Sequence, residues 1–180
     1  MGRDAASNGS PEQNQLYAGA LAQCGRMLDR LTAGYEADPE KRRDLRQEIH
    51  LQLWRSFAAF DGHCSLKTWA LRVAHNTAAS YVIRERRINS QLVGLEAIEA
   101  TLETHERPAD IDRERALREV QQIILKLRPL DRQIIISYLE GMDGASIAEI
   151  TGLTPANIAM KVHRIKKVLA HRVREEKSHA

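Results

Sequence analysis

Aromatic side chains are scarce in this chain: two Trp, four Tyr and two Phe make up 4% of its 180 residues. Ten Gly and five Pro are also few for such a length. Few breakers and few aromatics beside abundant Ala, Leu, Arg and Glu predict an all-α protein. No run of about 18 apolar residues occurs, which excludes a helical membrane span. Residues 1–12 are polar, contain no hydrophobic signal segment and are expected to form a frayed tail on a cytoplasmic protein. The only two cysteines, Cys24 and Cys64, fit neither zinc spacing nor a disulfide framework and read as reduced thiols. There is no Gly-rich phosphate loop and no nucleophile elbow. His50, His63, Cys64 and His75 are the raw material for a metal site, but they lack an i, i+4 His pair and a carboxylate triad. The sequence therefore implies no enzyme, no metal and no cofactor.

Charge is plentiful but nearly balanced. The formal net charge is +3, so its meaning depends on where it sits. Apolar periodicity predicts helices over 16–31, from about Glu40 to Phe60, and from a Ser65 cap to a basic tip at Arg84, Arg86 and Arg87. Gly34, Asp38 and Pro39 are expected to break the first from the second. In the third, Leu66, Trp69, Val73, Thr77 and Tyr81 would form the inner face. Over 88–112 the character changes: Glu96, Glu99, Glu103, Glu106, Asp110 and Asp112 stand against Arg107 alone. This reads as a flexible acidic linker with room for a short helix over 92–102. Helical patterning resumes at Arg113, with Leu117, Val120, Ile124 and Leu127 as a stripe ending at Pro129. Asp131 is a candidate cap for a helix carrying Ile134, Ile135, Tyr138 and Leu139. Ser146 with Glu149 has the spacing of a capping box. Thr154 followed by Pro155 opens the last helix.

The final two predicted helices carry the sharpest signal. A helix-turn-helix needs a small residue on its first helix, a turn residue that tolerates positive φ, and an apolar anchor on the second. Ala148, Gly152 and Ile158 stand at that spacing. Rotating away from Ile158, Val162 and Ile165 brings out Ala156, Asn157, Met160, Lys161, His163, Arg164 and Lys167, with Thr154 at the cap. Such a face suits the major groove: Lys161, Lys166, Lys167 and Arg172 for phosphates, Arg164 for a guanine edge. A solvated basic helix closing a bundle is the plain alternative, but cap, turn, packing and charge agree on the DNA reading. In the N-terminal half, Asp44, Gln47 and Glu48 precede Trp54, while Lys67, Asn76, Arg84, Arg86 and Arg87 lie on the following helix. The mix suits one protein partner and one nucleic acid. Trp54 and Trp69 are also natural core fillers.

The stretch DLRQEIHLQLWRSFAAFDGHCSLKTWALRVAHNTAASYVIRERR, from Asp44, resembles region 2 of extracytoplasmic-function sigma factors, the smallest group of the sigma-70 family. The stretch ILKLRPLDRQIIISYLEGMDGASIAEITGLTPANIAMKVHRIKKVLAHRV, from Ile124, resembles their region 4. The resemblance implies two small helical domains, region 2 over 13–87 and region 4 over 113–176, joined by the 88–112 linker. It implies an RNA polymerase subunit that reads the −10 and −35 promoter elements, with core polymerase, promoter DNA and an anti-sigma factor as partners. Asp44, Gln47 and Glu48 would dock on the polymerase, with Trp54 beside them. Asp61, His63, Ser65, Lys67 and Asn76 would take the −10 element, including a flipped base, and Arg84, Arg86 and Arg87 its backbone. Thr154, Ala156, Asn157, Met160, Lys161, His163, Arg164 and Lys167 would face the −35 element. The chain departs from the family at Ala159 and Met160, where a basic residue and a Ser are common, and at His63 and Cys64. A free-standing helix-turn-helix regulator, and an interaction protein that mimics the fold, are the rival readings.

Overall fold

The computed structural model describes residues 10–86 and 113–174. Among them are seven α-helices, one short 3-10 turn and no strand. The expectations for the acidic segment 88–112, its short helix and Arg87 lie outside the described residues, as do those for side chains from Arg172 onward. Helix α1 is Pro11–Tyr35, α2 is Pro39–Ser56 and α3 is Leu66–Arg86, with the 3-10 turn Phe57–Ala59 after α2. Helix α4 is Arg113–Lys126, α5 is Pro129–Leu139, α6 is Gly144–Thr151 and α7 is Pro155–Arg174.

Helix α1 starts five residues before the expected Leu16, inside the stretch expected to fray. Ser10 is its N-cap, accepting from the Gln13 amide at 3.1 Å, with Pro11 in the first turn and Glu12 beside the positive helix end. At the other end α1 runs through Gly34 to Tyr35. Gly34 does not break it, because the glycine is a notch for a neighbour: a Cβ there would lie 2.5 Å from Ile136 Cδ1. Asp38 caps α2 by accepting from the Glu40 and Lys41 amides. Ser65 caps α3 as expected, accepting from the Thr68 amide at 3.0 Å.

The inner face of α3 is rotated from the expected one. Ala70, Leu71, Ala74, His75, Ala78, Tyr81 and Val82 are buried, whereas Trp69, Val73 and Thr77 are only partly so. Ala70, Ala74 and Ala78 recur every four residues and let neighbouring backbones approach closely. Helix α3 touches α1, α2, α5 and α6, which explains why small residues serve it better than the large ones singled out by periodicity.

Two other expectations about helix starts are corrected. Asp131 is not a cap: Arg128 holds the cap position without a side-chain bond, Pro129 begins α5, and Asp131 turns inward. Ser146 does not open a capping box: Asp143 caps α6, taking the Ser146 amide at 2.7 Å. That amide, first among the causes, holds the Asp143 carboxyl below its ordinary range. Leu117, Tyr138 and Leu139, expected on apolar stripes, are exposed. Leu28, Leu31, Leu45, Ile49 and Leu53 in the N-terminal half and Leu127, Ile134, Ile135, Ile147, Ile158 and Ile165 in the C-terminal half are fully buried in one continuous cluster.

Candidate nucleic-acid and polymerase interfaces

Helices α6 and α7 form the helix-turn-helix. Gly152 has φ +74°, a conformation that costs an L side chain, and its amide donates to the Ala148 carbonyl at 2.8 Å. Thr154 Oγ1 accepts from the Asn157 amide at 3.3 Å and caps α7. Ile158, Val162, Ile165, Val168 and Leu169 face inward. The opposite side of α7 is open: Thr154, Ala156, Asn157, Ala159, Met160, His163, Lys166 and Lys167 are all exposed. Met160 is 58% exposed, a large apolar side chain at the centre of this surface. It can meet a thymine methyl group in a major groove.

Two basic residues of α7 are committed elsewhere. Lys161 Nζ lies 2.7 Å from Asp131 Oδ1, and its side chain is 30% exposed against 9% for Asp131. Lys161 therefore ties α7 to α5 rather than standing outward. Lys166 Nζ lies 5.2 Å from the centre of the Tyr138 ring and 3.1 Å from its hydroxyl. Arg164 is partly buried. The outward positive charge of the described part of α7 is thus narrower than the sequence suggested.

In the N-terminal half, Asp44 and Gln47 are exposed on α2 and Glu48 is partly buried. Glu48 Oε2 pairs with Arg84 Nη2 at 2.9 Å, so a polymerase candidate and a DNA candidate are joined. Trp54 is partly buried, its Nε1 donating to Asn14 Oδ1 at 2.9 Å. Trp69 Nε1 donates to Ser56 Oγ at 2.9 Å, and its ring packs edge-on against Phe60. Asp61 and His63 are exposed in the α2–α3 loop, where Gly62 adopts φ +77° and Asp61 Oδ1 accepts the His63 amide at 3.1 Å. Ser65 spends its hydroxyl on the α3 cap, Lys67 is partly buried and Asn76 is exposed. Arg84 is exposed with its guanidinium 5.5 Å from the Tyr81 ring centre. Arg86 ends α3, and its side chain is outside the described residues.

The histidines do not converge. His50 Nδ1 bonds Tyr17 Oη at 2.8 Å, and burial, the first cause, lowers its pKa. His75 is buried between Tyr35 and Ser137. Among the described residues no three His, Cys, Asp or Glu side chains could hold a metal ion, and no helix is long and apolar enough to cross a membrane.

Sequence reasoning missed Arg132 and Ser137, and it placed Arg72 on the basic face of the third helix without its long-range partner. Arg72 Nη2 donates to the Glu149 carbonyl at 3.2 Å, and Arg132 is 1% exposed with its guanidinium 5.4 Å from the Tyr35 ring centre. Long-range polar pairs of this kind leave no periodic trace in a sequence.

Comparison with known proteins agrees with this geometry. Residues 21–88 match Sigma-70 region 2 and residues 117–169 match Sigma-70, region 4. The chain is 25% identical over 138 residues to the ECF RNA polymerase sigma-E factor of Haemophilus influenzae, covering 72% of this chain and 73% of that one. It is 26% identical over 130 residues to RNA polymerase sigma factor YlaC of Bacillus subtilis, covering 71% and 74%. Among solved structures, it is similar in fold to the sigma factor RpoE of Bartonella quintana, solved in complex with the anti-sigma factor NepR. The TM-score is 0.62 at 16% identity, over 88% of this chain and 96% of that one. It is also similar in fold to CnrH, solved in complex with the cytosolic domain of CnrY, with a TM-score of 0.54 at 16% identity over 91% and 97%. Two regions of one family, in order and spanning about two thirds of the sequence, show that the chain belongs to the sigma-70 family, in its extracytoplasmic-function group, and is an RNA polymerase sigma factor.

Proposed function

We propose that this chain directs core RNA polymerase to promoters by holding the −10 element with its region 2 helices and the −35 element with α7. The observation that carries the reading is α7 itself: capped by Thr154, anchored by Ile158, and exposing Ala156, Asn157, Met160, His163 and Lys167 along one side. The helix is held by its apolar back, so its front is available to a groove. In region 2, Asp44, Gln47, Glu48 and Trp54 form the polymerase-facing group. Asp61, His63, Ser65, Lys67, Asn76 and the basic tip at Arg84, Arg86 and Arg87 serve the −10 strand.

The protein acts as a subunit rather than as an enzyme, and it works in the cytoplasm. The 13–87 and 113–176 segments are its two functional modules, with 88–112 as the acidic connector. The sigma factor RpoE, similar in fold and solved in complex with the anti-sigma factor NepR, supports an anti-sigma factor as a further partner. Lys161 and Arg164 complete the −35 face once α7 is seated, Lys161 by holding the helix on α5.

The test is run-off transcription on a promoter library with core polymerase, with and without the chain. Initiation that depends on the chain and on both elements is expected. Tight promoter binding by the purified chain, with no effect on core polymerase, would instead make it a free-standing regulator.

A further inference from the structure

The amino-terminal half of α1 reaches both ends of the loop that links α2 to α3. Gln13 Nε2 donates to the Trp54 carbonyl at 2.7 Å, and Trp54 Nε1 donates to Asn14 Oδ1 at 2.9 Å. Tyr17 Oη lies 2.8 Å from His50 Nδ1. Positions 13, 14 and 17 share one face of α1, which thus grips the last turns of α2. Two residues on, Gly19 admits the start of α3: a Cβ there would lie 3.3 Å from Leu66 Cδ2. All four residues precede Leu21, where the match to Sigma-70 region 2 begins.

Helix α2 has no glycine stop of its own. Its C-cap, Phe57, is still right-handed at φ −68°, and the chain runs on as the 3-10 turn Phe57–Ala59. An end of this kind leaves its last carbonyls in need of donors. Ser56 Oγ donates to that of Leu53 at 2.7 Å, and Gln13 joins the Phe57 amide on that of Trp54. Phe60 then packs edge-on against both Phe57 and Trp69. The point at which the chain leaves α2 is therefore set from α1 as well as from α3.

The loop carries Asp61, His63 and Ser65, the group assigned to the −10 strand. Its inner bond, from the His63 amide to Asp61 Oδ1, shapes it without placing it. Its position comes from its two ends. Apolar packing is non-directional and would let α2 slide or turn on α1, whereas a hydrogen bond weakens as soon as its distance or angle slips. Three such bonds along two turns fix the axial position of the end of α2. A pocket for an extruded base must offset the cost of unstacking, and a loop already in place loses less affinity to ordering.

We propose that Gln13, Asn14 and Tyr17 are positioning residues for −10 recognition: they act through the end of α2, holding the 61–65 loop in place without contacting DNA themselves. The proposal rests on the sigma-factor reading above.

Promoter discrimination by the holoenzyme tests it. The full chain carrying Gln13→Met, Asn14→Leu and Tyr17→Phe nearly keeps each side-chain shape and loses all three bonds. With the chain saturating over core polymerase, run-off product is compared on promoters altered at single −10 or single −35 positions. A loss of about fivefold in −10 discrimination is expected, with −35 discrimination unchanged. Intact −10 discrimination overturns the proposal, whether or not core affinity falls, and so does a parallel loss at both elements, the mark of general loosening. Should the triple variant fail to fold, single substitutions decide. Asn14→Asp keeps an acceptor for the Trp54 indole and should discriminate as wild type does, whereas Asn14→Leu should lose about twofold. Equal ratios for the two overturn the proposal. Should the wild-type chain itself fail to drive transcription, the sigma-factor reading falls, and amide hydrogen exchange of the free chain decides the rest. Several-fold faster exchange over 57–65 without the three bonds supports the grip on the loop; rates equal to wild type overturn it.

Discussion

Ser137 of α5 meets His75 of α3, Oγ 3.0 Å from Nε2, with both side chains buried. Tyr35 Oη stands 3.0 Å from the other ring nitrogen. Each hydroxyl can donate or accept, so either neutral tautomer is satisfied. The Arg132 guanidinium lies over the Tyr35 ring, 5.4 Å from its centre.

Burial alone pushes the His75 pKa from its ordinary 6.5 to about 3. The folded pKa is depressed and the group is neutral when folded. Its contribution is fully present above pH 6.5 and is lost as pH falls from there toward 3. At pH 5 the loss is about 2 kcal/mol, at about 1.4 kcal/mol per pH unit. Urea midpoints at pH 7.5 and pH 5.0 should therefore differ more for wild type than for His75→Gln. Parallel shifts in the two proteins would show that His75 is not the titrating group.

Gly152 makes a prediction free of packing. A Cβ there would meet nothing within 4 Å, so Gly152→Ala suffers only from φ +74°. The cost is about 1 kcal/mol, the usual figure for an L residue at a left-handed position. A thermal melt should show it, and Gly144→Ala, where φ is not positive, should not share the loss.

Much of this was readable from sequence because it is local. Gly152, Thr154 and Ile158 are governed by caps, turns and a 3.6-residue period, and the structure places them as that chemistry requires. The long-range contacts were not readable. Gly34 looked like a helix breaker because its partner, Ile136, is 102 residues away, and Asp131 looked like a cap because its partner, Lys161, lies two helices later. The α3 face was misjudged for a related reason. Periodicity rewards large apolar residues, while a helix packed on several sides selects Ala70, Ala74 and Ala78.

Lys161 separates a structural role from a DNA contact. Lys161→Met leaves the nearly buried Asp131 carboxylate without its ammonium, at a cost of about 1–3 kcal/mol. Adding Asp131→Asn should recover most of that loss, as coupling in a double-mutant cycle. If instead Lys161→Met leaves the urea midpoint unchanged and only weakens DNA binding, the Asp131 pair is incidental.

The Glu48–Arg84 pair links the two proposed faces of region 2. Both side chains are partly solvated, 32% and 58% exposed, so solvent screens the pair and it adds little to stability. Glu48→Lys should then leave the melting temperature nearly unchanged, yet weaken core polymerase binding several-fold by placing like charge beside Arg84. A binding titration with core polymerase checks this. Unaltered affinity would remove Glu48 from the docking surface.

Lys167 and Asn157 are both exposed on α7 but should fail differently. A lysine that neutralises one phosphate contributes to every sequence alike, and its removal lowers the slope of log affinity against log salt by about 0.9. Lys167→Ala should therefore weaken binding to all −35 variants equally and flatten the salt dependence. Asn157 stands in the first turn of α7, where a recognition helix meets base edges, and its amide can bond an adenine in two places. Asn157→Ala should leave the salt slope intact and cost about 1–3 kcal/mol at one base position. Affinities of holoenzyme for a full set of single −35 substitutions, at three salt concentrations, distinguish the two patterns. A base-specific loss from Lys167→Ala, or a uniform loss from Asn157→Ala, would mean that α7 enters the groove at a different rotation from the one its buried face dictates.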